Sequence, residues 1–118
     1  MPAVARFGDV ATTGHDCDAT ATLVGGSSNV FCNTKKVERK GDSLGSHDKG
    51  VLVRKTRPGT GDNLGTTIVY FELECLPHSA SITGGSGTVF VNGIAIARVG
   101  DSADSGAIST GSSNVFAG

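Results

Sequence analysis

Hydrophobic and polar residues alternate over short stretches along the chain, and turns rich in glycine separate these stretches. The alternation is clearest over residues 86–98, on either side of Asn92-Gly93, a dipeptide that favours a two-residue hairpin turn. Residues 66–74 are rich in β-branched and aromatic side chains, and together with residues 51–57 they predict a second, inserted hairpin. No stretch keeps a helical period over three turns, so the pattern predicts an all-β protein.

The hairpin pattern repeats. Residues 26–42 and 85–101 align without a gap at an offset of 59. Residues 4–9 resemble the second half of this unit and residues 111–116 resemble its first half, so both chain ends fall inside a third copy. We interpret residues 1–118 as one domain. It is expected to be a short pseudo-threefold β-cone of three repeated hairpins, with an inserted hairpin at about 51–74.

Three loops connect the copies. Counted from the Asp of one copy to the next Gly-Ser, they span 17, 43 and 10 residues. Insertions of variable length belong to surface loops, and the repeated hairpins belong to the packed body. Because threefold symmetry places equivalent turns on the same side, we expect the three loops to emerge at one end of the cone.

Composition limits the core and the function class. Only 37% of the 118 residues are hydrophobic, and there are 18 glycines and no tryptophan, so the thin core predicts a metal, a disulfide or a partner as an extra clamp. The net charge of -1 argues against nucleic-acid binding. No signal peptide is evident, which predicts synthesis in the cytoplasm and cysteines that are thiols or metal ligands.

Two histidines occupy nearly the same place in successive loops. His15 lies six residues beyond Asp9, and His47 lies five beyond Asp42. Pseudosymmetry should therefore bring the two imidazoles together. The third loop offers Ser105-Gly106 at that place and is expected to supply no ligand.

The second loop contains a further pair of ligand types, Cys75-x-x-His78. Together with His15 and His47, this pair predicts a closed set of three imidazoles and one thiolate, which is typical of structural zinc. Cys17 is an alternative thiolate to Cys75. An alternative function is a small zinc hydrolase in which His15, His47 and His78 leave a fourth position open for water.

Other polar residues recur in all three copies and predict structural roles, because catalysis needs one differentiated place. They are the arginines and aspartates Arg6, Arg39, Arg98, Asp9, Asp42 and Asp101. Cys32 aligns with Val91 on a predicted strand and is expected to be a small buried residue. We therefore predict that the protein is not an enzyme.

Residues 3–9 (AVARFGD) and 94–101 (IAIARVGD), each coupled with a Gly-Ser-x-x-Val segment, resemble the PAAR-repeat family. The resemblance implies a sharp β-cone whose base docks on a trimeric β-helical spike. That spike is the valine–glycine repeat (VgrG) protein of type VI secretion, or the needle of contractile phage tails. It also implies a structural zinc ion near the apex held by three His and one Cys, here His15, His47, Cys75 and His78.

The chain departs from the family pattern at residues 37–42, which keep only the Arg-x-Gly-Asp of the motif. The implied role is a non-enzymatic, stand-alone tip, one per spike trimer, that touches a target membrane transiently. It would belong to a phage tail or virion, or be secreted through a contractile injection system.

Overall fold

The computed structural model describes residues 1–118 except for the side chain of Asn63. The predicted all-β fold is confirmed. One 3-10 turn, Gly61–Asn63, accompanies ten strands, which are β1 Val10–Thr12, β2 Thr20–Thr22, β3 Phe31–Cys32, β4 Lys35–Lys36, β5 His47–Pro58, β6 Thr67–His78, β7 Phe90–Val91, β8 Ile94–Ala95, β9 Ser102–Ala103 and β10 Gly106–Ala107. They pair antiparallel, each with its chain neighbour, in five two-stranded sheets.

A ring of backbone hydrogen bonds joins the three copies. The amide of Ala5 donates to the carbonyl of Ala97, that of Ala97 to Glu38, and that of Glu38 to Ala5, each at 3.0 Å. A closed cycle of three equal bonds between aligned residues defines a pseudo-threefold axis. Residues 1–46 and 79–118, which surround this axis, are called the body below.

Equivalent turns close each copy. In every one the backbone amide and Nε of the arginine donate to Oδ2 of the aspartate three residues later, at 2.7–2.8 Å and 3.0 Å. The glycine between them has a positive φ of 89°, 91° or 92°, a conformation that glycine adopts without a steric cost. The repeated arginines and aspartates therefore hold the turns of the body.

The two chain ends meet inside the third copy, as the repeat pattern predicts. Ala3 forms an antiparallel bridge with Phe116, and the amide of Ala117 donates to the carbonyl of Pro2 at 3.0 Å. The other two copies have a continuous two-residue turn at this place, Asn33-Thr34 and Asn92-Gly93.

The core consists of two clusters of mostly small side chains, which fits the thin core expected from composition. The first cluster contains Ala5, Ala11, Ala21, Leu23, Leu44, Ile82, Ala97, Ala103 and Ile108. The second contains Val4, Cys32, Val37, Val91, Ile96 and Ala117. Cys32 is a free, buried thiol in this second cluster, as predicted.

The inserted hairpin is longer than predicted. Its strands β5 and β6 have twelve residues each, with His47 paired to His78 at one end and Pro58 to Thr67 at the other. Gly50 and Pro77, both near the root, are turn-type residues that hid the extra length, although edge strands tolerate both. At about 3.3 Å per residue this hairpin reaches roughly 40 Å. It accounts for the elongated molecule, 67 × 24 × 22 Å, and is called the ribbon below.

Candidate metal centre

The root of the ribbon brings together all three histidines of the chain around Asp104. Nε2 of His15 and of His47 lie 2.6 and 2.8 Å from Oδ2 of Asp104, and Nε2 of His78 lies 3.3 Å from Oδ1. The four potential ligand atoms all lie within 4.8 Å of one another. The predicted meeting of His15 and His47 is therefore present in the structure, and His78 joins them.

Different elements supply the four side chains. His15 follows β1, and its backbone amide donates to Oγ1 of the buried Thr13 at 3.1 Å. His47 begins β5, with its Nδ1 2.9 Å from the carbonyl of Gly45, and His78 ends β6. Nδ1 of His47 therefore donates to this carbonyl and the ring turns Nε2 toward Asp104, where a metal ion would take the place of the proton between the two groups. Asp104 lies in the turn between β9 and β10.

Asp104 was missed in the sequence. The third loop was expected to supply no ligand because only histidine and cysteine were compared with the other loops. Asp104 is the only carboxylate between Asp101 and Gly111, one position before Ser105, so a signal was available. Its positive φ of 54° places it in a tight turn, a conformation that aspartate tolerates better than most residues.

The prediction for Cys75 was wrong, and so was its alternative. Cys75 and Cys17 form a disulfide, with their Cα atoms 5.9 Å apart, so neither sulfur is a thiolate. The predicted i, i+3 pair assumed a tight turn, whereas Cys75 and His78 lie on an extended strand. Residues three apart on a strand point to opposite faces, so they do not converge on one ion. The expectation of reduced cysteines therefore fails for Cys17 and Cys75 and holds for Cys32.

The disulfide holds the loop after β1 against the ribbon. Gly50 is the register partner of Cys75, and a Cβ on Gly50 would lie 3.3 Å from Cβ of Asp16 and 3.6 Å from Sγ of Cys17. The bare backbone at Gly50 thus lets residues 16 and 17 approach closely. The bridge closes a separation of 58 residues near the root of the ribbon.

The electrostatics of the centre favour a bound cation. Burial opposes ionisation of Asp104, but hydrogen bonds from His47, His78 and His15 outweigh it, and the pKa of Asp104 lies below its usual value. Burial likewise opposes charge on His47, while the Gly45 carbonyl and Asp104 raise the pKa of His47. Three nitrogens and one carboxylate oxygen facing a common point form a donor set that suits zinc.

The comparison with family models gives a match in the C-terminal part of the chain. Residues 75–118 match the family model of the PAAR motif. The resemblance to the PAAR-repeat family is thereby confirmed. The matched PAAR segment contains the third Arg–Asp turn and two members of the histidine–aspartate cluster, His78 and Asp104. Among curated proteins, the chain has no match.

A PAAR motif supports a structural role in the spike machinery of type VI secretion systems or phage tails, in association with spike proteins such as VgrG. The described residues contain no helix that is long and apolar enough to cross a membrane.

Proposed function

We propose that this protein is a non-enzymatic tip that caps a trimeric β-helical spike, one tip per trimer, and helps the spike to pierce a target envelope. The observation that carries the proposal is the ring of three backbone hydrogen bonds between Ala5, Glu38 and Ala97. One chain presents three equivalent faces around an axis, and such a monomer can match a true threefold partner. The PAAR motif in residues 75–118 supports the same role.

Three exposed phenylalanines supply a docking face. Phe31, Phe90 and Phe116 occupy the same place in the three copies and are 56%, 56% and 51% exposed. Each precedes a buried member of the second core cluster, whereas Asp104 follows Ala103 of the first. We therefore assign the phenylalanines to the spike-facing base and the histidines to the opposite end.

In this proposal zinc clamps the apex. His15, His47, His78 and Asp104 would hold the ion and so tie together the loop after β1, the two strands of the ribbon and the β9–β10 turn. Four protein ligands form a closed set, which is typical of structural zinc sites. The alternative of a hydrolase needs an open fourth position, and in this proposal the carboxylate of Asp104 would fill that position.

Binding to a spike tests the proposal directly. The protein is mixed with a trimeric VgrG-like spike, and the mass of the complex is measured by light scattering after size exclusion. We expect one chain per trimer. Replacing Phe31, Phe90 and Phe116 together by Ser should abolish the complex, because the exposed rings supply the apolar contact.

Phe7→Ser is the matched control, since Phe7 is 45% exposed but belongs to an Arg–Asp turn. It should leave binding unchanged. No complex, or three chains per trimer, would contradict the proposed function.

A further inference from the structure

The ribbon has one apolar face that no other part of the described structure covers. Leu52 pairs with Leu73, Arg54 with Phe71 and Thr56 with Val69, and alternation along each strand puts all six side chains on one face. Leu52, Phe71, Leu73 and Val69 are 69%, 62%, 54% and 47% exposed. This outer face, made of those six residues, is a contiguous apolar patch of the kind that marks interaction sites.

The two strands differ in charge. Lys55 lies 3.1 Å from Glu72 and 2.5 Å from Glu74, so the two acidic groups of β6 are engaged by one lysine across the ribbon. In the described part of the chain, Lys49, Arg54 and Arg57 on β5 make no ion pair. The β5 side of the ribbon is therefore the basic side.

The β5 edge is also open. Near the root Asp18 covers it: the amide of Asp48 donates to Oδ2 of Asp18 at 2.6 Å, and the amide of Asp18 donates to the Asp48 carbonyl at 3.1 Å. The ribbon is a sheet of two strands only. Beyond Asp48, residues 51–57 therefore face no further strand among the described residues, and their outward backbone groups can accept one.

We propose that residues 51–57 bind an extended segment of a partner protein by strand addition, and that this segment alternates apolar and acidic side chains. The added strand would extend the outer face with its apolar side chains and place its carboxylates on the opposite face, beside Arg57 and, towards the root, Lys49. Opposite charges on neighbouring strands stabilise their pairing. Main-chain hydrogen bonds supply affinity in this mode of recognition, and the side chains supply specificity.

A second copy of the chain fits less well than such a segment. Four partly exposed side chains present on the order of a few hundred Å², below the roughly 800 Å² per partner of a stable interface, so the face alone is too small. Two β5 edges brought together would also set basic side chains against basic side chains. Charged edges are a known protection against self-pairing, and here they still admit an acidic strand.

The inference goes beyond the proposed tip function and does not depend on it. The ribbon starts at His47 and His78, so its outer part leaves the phenylalanine face free. A partner can therefore stay bound to the ribbon while the tip is docked on a spike.

A synthetic peptide of about ten residues, a typical strand length, in which Val and Glu alternate, tests the proposal on the full chain. The control peptide has Lys in place of Glu. Binding is followed by the fluorescence of Tyr70, the chain's only tyrosine, which lies on the ribbon, and by backbone amide exchange. We expect the acidic peptide to bind about tenfold or more tightly than the basic one and to protect amides in residues 51–57. Equal binding, no binding, or protection along β6 instead would overturn the proposal.

Charge reversal on the β5 edge sharpens the test. Lys49→Glu with Arg57→Glu, on the face that would meet the carboxylates, should invert the preference between the two peptides. Lys35→Glu with Lys36→Glu makes the same change in net charge on β4 and should leave the preference intact. Loss of the preference in this control would overturn the proposal. So would a concentration-dependent dimer, detected by sedimentation, that the peptide does not dissociate. A failure to bind the spike, with peptide binding intact, would count against the tip function alone.

Discussion

The body and the ribbon solve the problem of stability in opposite ways. The body repeats one hairpin unit three times around an axis. A ring of equal hydrogen bonds joins the copies at this axis, and every copy has an equivalent Arg–Asp turn. The ribbon occurs once, has two strands and leaves its apolar face exposed. The repeated contacts stabilise the body, whereas the ribbon, which has no equivalent in the other copies, can take on a specific role.

The two regions depend on each other unequally. An isolated two-stranded ribbon is marginally stable at best in water, whereas the body has its own buried clusters. The ribbon therefore relies on what holds its root: the histidine–aspartate cluster and the Cys17–Cys75 bridge. Releasing either clamp should loosen the ribbon more than the body.

Removal of the proposed metal ion is expected to have the largest effect on the root of the ribbon. A ligand present at 1,000 times its dissociation constant stabilises the folded state by about 4 kcal/mol, so a chelator should lower the unfolding temperature markedly. Asp104→Ala should lose the ion and reproduce the effect of the chelator. Elemental analysis and calorimetry, with and without chelator, measure both.

Asp62→Ala, in the loop at the far end of the ribbon, is the matched control and should keep both the metal content and the unfolding temperature. One zinc per chain at unchanged affinity in Asp104→Ala would show that Asp104 is not a ligand.

Loss of the disulfide should come next. Closing a separation of 58 residues is worth about 4 kcal/mol in the chain-entropy model, and less if the metal already holds the root. We expect Cys17→Ser with Cys75→Ser to cost about 3 kcal/mol and to speed amide exchange in the ribbon more than in the body. A reducing agent should reproduce this in the wild type and do nothing further to the variant. Equal acceleration in both regions would contradict the unequal dependence.

Glu38 breaks the symmetry of the body itself. It aligns with Ala5 and Ala97, it is fully buried, and among the described residues neither of its carboxyl oxygens has a hydrogen-bond partner. Burial, with a smaller contribution from Asp42, raises the pKa of Glu38 to about 8. The folded protein therefore holds this proton over a pH range in which the unfolded chain, with a pKa near 4.5, has lost it.

The free energy of unfolding should therefore depend on pH. Stability is greatest below the unfolded pKa and falls, by about 1.4 kcal/mol per unit, as the pH rises from about 4.5 to about 8. Glu38→Gln should remove this fall. Glu38→Ala, the residue of the other two copies, should exceed the wild type in stability at pH 9. Urea unfolding from pH 5 to 9 measures the difference, and parallel curves for wild type and variants would rule out Glu38 as its source.

The repeat made most of the body predictable. One alignment at a fixed offset is enough to place both chain ends in a third copy, and the symmetry it implies brings His15 and His47 together. Equivalent residues in a symmetric body must lie at equivalent places, so local sequence carries long-range information there.

The ribbon was less predictable because it has no second copy to compare. Its strands include turn-type residues, so its length and the extended conformation at Cys75 were missed, and with them the disulfide. A bond between residues 17 and 75 depends on how the loop after β1 packs on the ribbon, which spacing along the chain does not encode. Asp104 was missed for a simpler reason, because a carboxylate can replace a thiolate as a ligand.

The smallest expected effect separates two copies within the body. The turn Asn33-Thr34 has φ values of 53° and 67°, and its counterpart Asn92-Gly93 has 55° and 76°. The left-handed region costs a residue with a Cβ about 1–2 kcal/mol, and glycine escapes that cost. Thr34→Gly should therefore stabilise the body by about 1 kcal/mol, seen as a higher urea midpoint, while ribbon exchange stays unchanged. Gly93→Thr should do the reverse. If Thr34→Gly destabilises the body instead, the hydrogen bond from the Thr34 hydroxyl to the Asn33 carbonyl outweighs the backbone strain. The threonine would then stabilise its turn and would not be a strained residue that the fold merely tolerates.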